Sequence, residues 1–192
     1  MDAINKVIIL FLFGLLFQHY SWAQCDDCDN SFTNGAGINV PAGATVCLTG
    51  EGETYSLTFQ GADATAIICS DNITISNVQT GSTGNSVENY ASGAVIESGT
   101  LNGAIRFFTA DETDMLIDFQ INPGNFMFFE VGEFAEMIVQ GLTTNEGGEV
   151  FVGRNGVFRS QGNFNLQGGG EIYNTGTIIA ESNMTVQGGD NT

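Results

Sequence analysis

The chain is poor in positive charge and in proline. Its 192 residues carry four Lys and Arg against 22 Asp and Glu, with one His and two Pro. The lysine, Lys6, and the histidine, His19, both lie in the first twenty residues. Beyond them the cations are Arg106, Arg154 and Arg159. A surface of this sign repels nucleic acid and anionic lipid, both of which need basic patches. Without His or Lys downstream, Ser–His–Asp, Cys–His and Ser–Lys catalysis have no base, and Schiff-base chemistry has no amine. No phosphate-binding loop is present either, because the glycines are spread evenly and not gathered between a strand and a helix. A helical period is missing as well.

The first segment has a clear chemical character. Lys6 precedes an apolar run from Val7 to Phe13, extended by Gly14 and Leu15-Leu16-Phe17, and Ser21 and Ala23 place small residues at −3 and −1 before Gln24. This order of charge, apolar core and small-residue site is that of a secretory leader. The apolar core, about 11 residues, falls short of the roughly 20 that span a bilayer. Residues 1–23 are therefore expected to be a cleaved signal peptide. Residues 24–37 are then a Cys-containing cap and residues 38–192 a β-solenoid domain. The expected location is secreted or cell-surface, with no membrane insertion after cleavage.

The rest of the chain repeats. Gly156, Phe158, Asn163, Phe164 and Leu166 align with Gly176, Ile178, Asn183, Met184 and Val186, and Gln167-Gly168-Gly169 recurs as Gln187-Gly188-Gly189. Upstream, Glu149-Val150-Phe151 aligns with Glu171-Ile172-Tyr173, and Val131-Gly132 with Val152-Gly153. The unit is 20–22 residues long, made of short apolar alternations such as Tyr55/Leu57/Phe59 and Ile73/Ile75 bounded by Gly, Asn, Asp and Ser. Short alternations with turn formers read as strands, and a fixed period of this length reads as a solenoid. The expected fold is all-β: a single-stranded, right-handed parallel β-helix of six or seven coils, with equivalent strands stacked about 4.8 Å apart. The alternative is an antiparallel sandwich. Residues 80–92 read as a polar excursion from the coil. The stretch 105–139 holds Phe107, Phe108, Met115, Phe119, Phe126, Met127, Phe128, Phe129, Phe134 and Met137. It is expected to stack aromatics in the core, although neighbours such as Phe128 and Phe129 must point to opposite sides of a strand.

The four cysteines are Cys25, Cys28, Cys47 and Cys69. An even count in an exported chain points to disulfides, and the spacing does not suit a zinc ribbon. Cys47 and Cys69 are separated by one expected coil. Stacking would bring them within disulfide reach, a bridge worth about 3 kcal/mol. Cys25 would then pair with Cys28.

The segment from Ile38 through Pro41 to Cys47, followed one coil later by Ile68-Cys69, resembles the opening of large surface proteins of Bacteroidota. Tyr173-Asn174-Thr175-Gly176 resembles their Gly/Asn-rich coils. The resemblance implies a β-helical N-terminal region of an adhesin-like protein, with adhesion modules and a sorting domain further along. This sequence stops within a repeat, at Gly188-Gly189-Asp190-Asn191-Thr192. It is accordingly expected to be a fragment or to stack end to end with another copy.

No catalytic residues are expected. Calcium is the one cofactor the residues suggest, since Asp26, Asp27 and Asp29, and again Asp111 and Asp114, crowd oxygen donors into short turns. Neither group has the spacing of a known calcium loop, and solvated acidic turns are the simpler account. Asn72 and Asn183 head glycosylation sequons. The expected function is a non-enzymatic structural or adhesive module whose partners are other surface proteins or glycans. The alternative is a carbohydrate-active module that binds, lyses or hydrolyses polysaccharide.

Overall fold

A computed structural model describes residues 23–121, 126–144 and 147–187. The leader residues 1–22 and the final Gly188-Gly189 lie outside the described residues. Among the described residues, one short 3-10 turn (Ala23–Asp26) is followed by nineteen strands, β1–β19 in chain order. Every strand pairing is parallel.

Two sheets run the length of the molecule. Sheet 1 stacks β1 (Asn30–Phe32), β3 (Thr45–Leu48), β5 (Thr65–Ile68), β7 (Asn85–Asn89), β10 (Ile105–Thr109), β12 (Met127–Val131), β14 (Gly148–Val152) and β17 (Glu171–Asn174) in that order. Sheet 2 stacks β2 (Gly37–Val40), β4 (Thr54–Phe59), β6 (Ile73–Thr80), β8 (Gly93–Ile96), β11 (Asp114–Ile121), β13 (Glu136–Thr144), β15 (Val157–Ser160) and β18 (Thr177–Ala180). Shorter strands β9 (Gly99–Leu101), β16 (Phe164–Leu166) and β19 (Met184–Val186) extend sheet 2 after a bend in the coil. The chain is thus a parallel β-solenoid of about seven turns.

The expected repeat equals the structural repeat. Phe158 lies beside Ile178, Leu166 beside Val186, Val150 beside Ile172 and Val131 beside Val152. Strand alternation sends every second side chain inward, so each turn adds one rung to continuous columns. Ala66, Val87, Phe107, Phe129, Val150 and Ile172 form one such column from sheet 1. Ile73, Ala94, Met115, Met137, Phe158 and Ile178 form another from sheet 2. Inside, the Phe107 and Phe129 rings stack at 5.9 Å, and Phe129 meets Phe158 edge-on at 5.5 Å. The aromatic-rich stretch is core on its inward positions, as expected.

The corners also stack. Gly52, Asn72, Glu112, Phe134 and Asn155 occupy one corner between the sheets, and all have φ between 58° and 69°. This left-handed geometry is uncommon away from Gly and Asn, and a bulky residue there is strained. The amides of Gly52, Glu112 and Phe134 each donate to a carbonyl of the following turn, at 3.1, 2.9 and 3.2 Å, which offsets that strain. Glycine recurs at these corners because successive turns touch. A Cβ on Gly153 would lie 2.9 Å from the Gly132 carbonyl carbon, and one on Gly176 would lie 2.3 Å from the Gly156 oxygen.

Two expectations are corrected. Residues 80–92 do not leave the coil. They supply β7, in register between β5 and β10. Asn85 and Asn89 are buried there because each has its polar atoms satisfied. The Asn85 carboxamide accepts from Ala64 N at 3.1 Å and donates to Thr80 Oγ1 at 2.7 Å. Asn89 donates to Ala91 O and Asp114 O and accepts from Ala91 N.

The cysteine pairing is also different. The bridges are Cys25–Cys69 and Cys28–Cys47, with Cα separations of 5.9 and 5.8 Å. The local turn is shorter than the spacing assumed: Cys47 faces Ile67, and Cys69 lies past the end of β5, with its amide on Leu48 O. Cys47 and Cys69 are therefore not stacked. Cys25 lies within the 3-10 turn and Cys28 two residues past its end. Each reaches a different rung.

Candidate functional site

The outer face of sheet 1 is where the chain departs most from a plain solenoid. Its outward side chains form two columns. One runs Cys47, Ile67, Glu88, Phe108, Glu130, Phe151, Tyr173. The other runs Thr65, Ser86, Arg106, Phe128, Glu149, Glu171. Outward positions on a solvated sheet are expected to be polar, so a column with this many rings needs a physical account.

At the first rungs the account is a cover. The segment from the 3-10 turn to Cys28, tied by both disulfides, lies over the outer face, and Cys47 and Ile67 are only 0% and 4% exposed although both point outward. The cover reaches the third rung, where Tyr90 donates its hydroxyl to Gln24 Oε1 at 2.6 Å. Tyr90 also donates to Glu88 at 3.2 Å. Burial first, and then the neighbouring Glu88 charge, hold its phenol well above the usual tyrosine range.

Next along the columns comes an internal cation site. The Arg106 guanidinium lies between Glu88 Oε1 at 2.8 Å and Glu130 Oε2 at 2.6 Å. It also sits over the Phe108 ring, 4.8 Å from the centroid. Charge-assisted hydrogen bonds and a cation–π contact act together here. Arg106 thereby fastens three rungs, because its two carboxylates stand on β7 and β12.

Above this the surface is aromatic and acidic. Phe126 and Phe128 pack at 4.7 Å, tilted. Phe151 and Tyr173 stack almost parallel, at 4.6 Å and 7°, and the Tyr173 hydroxyl donates to Glu171. A groove of about 550 Å³ opens beside this pair, lined by Phe151, Tyr173, Glu130, Glu133 and Asp111, among others. Its floor passes the stacked glycines Gly132 and Gly153, which bring no side chain.

The candidate calcium ligands do another task. The Asp29 carboxylate accepts from Thr45 N at 2.8 Å, Asp111 from Glu133 N at 2.7 Å and Asp114 from Glu136 N at 3.1 Å. Each holds an amide of the following turn at a corner. Asp26 and Asp27 are exposed beside the 3-10 turn. Among the described residues no three His, Cys, Asp or Glu side chains gather closely enough to hold a metal. The sequon residues Asn72 and Asn183 are both exposed, Asn72 at a left-handed corner.

Reading the sequence without the fold missed the Arg106 cluster and the Tyr90–Gln24 tie. A signal for one of the ion pairs existed: Arg154 and Glu133, paired at 3.3 Å, stand 21 residues apart, one repeat.

Fold and surface together define the class: a disulfide-capped parallel β-solenoid with one aromatic and acidic flank. No protein-family model, curated protein or solved structure matches this chain.

Proposed function

We propose that this chain is a non-enzymatic, exported β-solenoid module, cleaved from its leader and displayed at a cell surface, where the flank of sheet 1 is its adhesive surface. The observation that carries the proposal is the change along that flank. The N-terminal segment covers its first rungs, whereas Phe128, Phe151 and Tyr173 stand outward beyond the cover. Apolar rings gathered on a solvated face commonly mark an interaction surface. Two disulfides support export, since such bonds persist in oxidising compartments. Among the described residues no helix is long and apolar enough to cross a membrane. The resemblance of residues 38–48 to surface proteins of Bacteroidota supports a role as one segment of a larger adhesin.

The test is retention. The purified module, fluorescently labelled, is applied to intact bacterial envelopes and washed. The wild type is expected to stay bound, and a Phe128→Ser/Phe151→Ser variant with unchanged circular dichroism is expected to wash off. Equal retention of both would refute the flank as the adhesive surface.

The groove favours a second reading, a carbohydrate-active module. Carboxylates of Asp111, Glu130 and Glu133 beside two rings offer both hydrogen-bond acceptors and apolar contact to a sugar. Against it, Phe151 and Tyr173 turn their ring faces toward each other. A glycan array and an assay for released sugar separate the two.

A further inference from the structure

We infer that the upper part of the sheet 1 flank, centred on Glu149, Glu171, Phe151 and Tyr173, docks an arginine-bearing segment of a partner protein. This rests on the adhesive reading above and supplies its ligand chemistry.

The molecule contains its own example of what this flank binds. Lower on the same two columns, Arg106 places a guanidinium over the Phe108 ring and between two carboxylates. Higher up, the same kinds of residue recur. Phe151 and Tyr173 occupy the column of Phe108, and Glu149 and Glu171 occupy the column of Arg106 itself. Rings and carboxylates are present again, but the position that held a cation now holds an acid.

Charge makes this arrangement unfavourable without a ligand. Glu149 and Glu171 are in register on adjacent strands, so their Cα atoms stand about 4.8 Å apart, and like charges directly opposite are destabilising. Elsewhere arginines stand between glutamates two turns apart. Arg106 bridges Glu88 and Glu130, and Arg159 bridges Glu136 and Glu181. The third described cation, Arg154, pairs with Glu133. Among the described residues, no arginine pairs with Glu149 or Glu171, and Glu171 accepts only from the Tyr173 hydroxyl.

Shape and charge narrow the occupant. The groove adjoins this patch at Phe151 and Tyr173, and Glu130 and Glu133 line it. With a formal charge of −18 on the chain, an anionic partner would be repelled. A planar guanidinium meets carboxylates in a two-pronged geometry and packs on ring edges and faces, which an ammonium does less well. An extended segment carrying two arginines would place one against the Glu149–Glu171 pair and one in the groove.

The experiment uses the leader-free, disulfide-intact chain and a labelled peptide of alternating Arg and Ser, read by fluorescence anisotropy, with the Lys–Ser peptide alongside. Binding is expected to prefer Arg over Lys and to weaken with salt. A Glu149→Gln/Glu171→Gln variant is expected to lose about tenfold in affinity, since it removes two charge-assisted contacts. Glu51→Gln/Glu97→Gln, which removes the same charge from exposed sites elsewhere, is expected to lose less than about twofold. If both pairs weaken binding equally, attraction is diffuse and the site is overturned. Absence of peptide binding by a chain that still adheres to envelopes would also overturn it while leaving the adhesive reading intact, and glycan binding lost in the Glu149/Glu171 variant would put a sugar in its place.

Discussion

The outer face of sheet 1 is closed at one end and open further along, and the two parts are built from the same columns. Near the N-terminus, outward Cys47 and Ile67 are buried as deeply as core residues because a covalently held 3-10 turn lies on them. Several rungs on, outward Phe128 and Phe151 are half-buried and Tyr173 is 39% exposed. Position within a strand therefore does not decide whether a side chain is core. What decides it is whether another segment arrives to cover the position. Where the N-terminal segment covers it, the outer face becomes a second small core; beyond that cover, the described rings stay partly exposed.

The contrast between inward and outward positions can be broken most strongly at two adjacent phenylalanines. Phe129 points inward, fully buried between Phe107 and Val150. Phe129→Ala is expected to cost about 3–5 kcal/mol in urea unfolding, the range for a buried aromatic truncated to Ala. Phe128→Ala, one residue away on the open face, is expected to cost no more than about 1 kcal/mol. Similar losses at both would mean that the flank is as tightly packed as the column.

The closed end should respond to loss of its staple. The Cys25–Cys69 bridge closes a loop of 44 residues, for which chain entropy gives about 4 kcal/mol as an upper figure. Cys25→Ser is expected to lower the unfolding free energy by up to that amount. It should also raise protease sensitivity at residues 23–29 without changing Arg–Ser peptide binding on the open part. A variant as stable as the wild type would show that packing and the remaining Cys28–Cys47 bridge suffice to seat the turn.

A smaller effect is expected from pH. The Tyr90 phenol is held above its ordinary range by burial and by Glu88. The folded state thus keeps this proton more tightly than the unfolded chain, so its contribution to stability is complete below pH about 10 and falls as pH rises beyond it. Alkaline unfolding followed between pH 9 and 12 should be shallower in Tyr90→Phe than in the wild type. Identical slopes would disconnect Tyr90 from the seating of the cover.

Much of this was legible from residues alone. Phe158 opposite Ile178 and Leu166 opposite Val186 could be aligned by eye, because a solenoid repeats its environment and so repeats its residue types. The inward and outward split of Phe128 and Phe129 followed from strand geometry. The cysteines were not legible. A turn length that varies by two residues shifts the register by two positions, and that was enough to separate Cys47 from Cys69. Nor was the rung at 85–89. Buried Asn85 and Asn89 look like loop residues until the carbonyls and amides that satisfy them are in place. Nor were the amides that the Asp29, Asp111 and Asp114 carboxylates hold, since those amides belong to the following turn.

The sequence by itself determined that this chain coils with a period near 21 residues and that an apolar column runs through it. Both are consequences of local alternation and of turn residues that recur at each corner. Tertiary structure alone decided which cysteines meet, which rings face outward uncovered, and which carboxylates lack a cation. Those outcomes depend on distances between turns, and a spacing along the chain becomes a distance in space only once every intervening corner has taken its length.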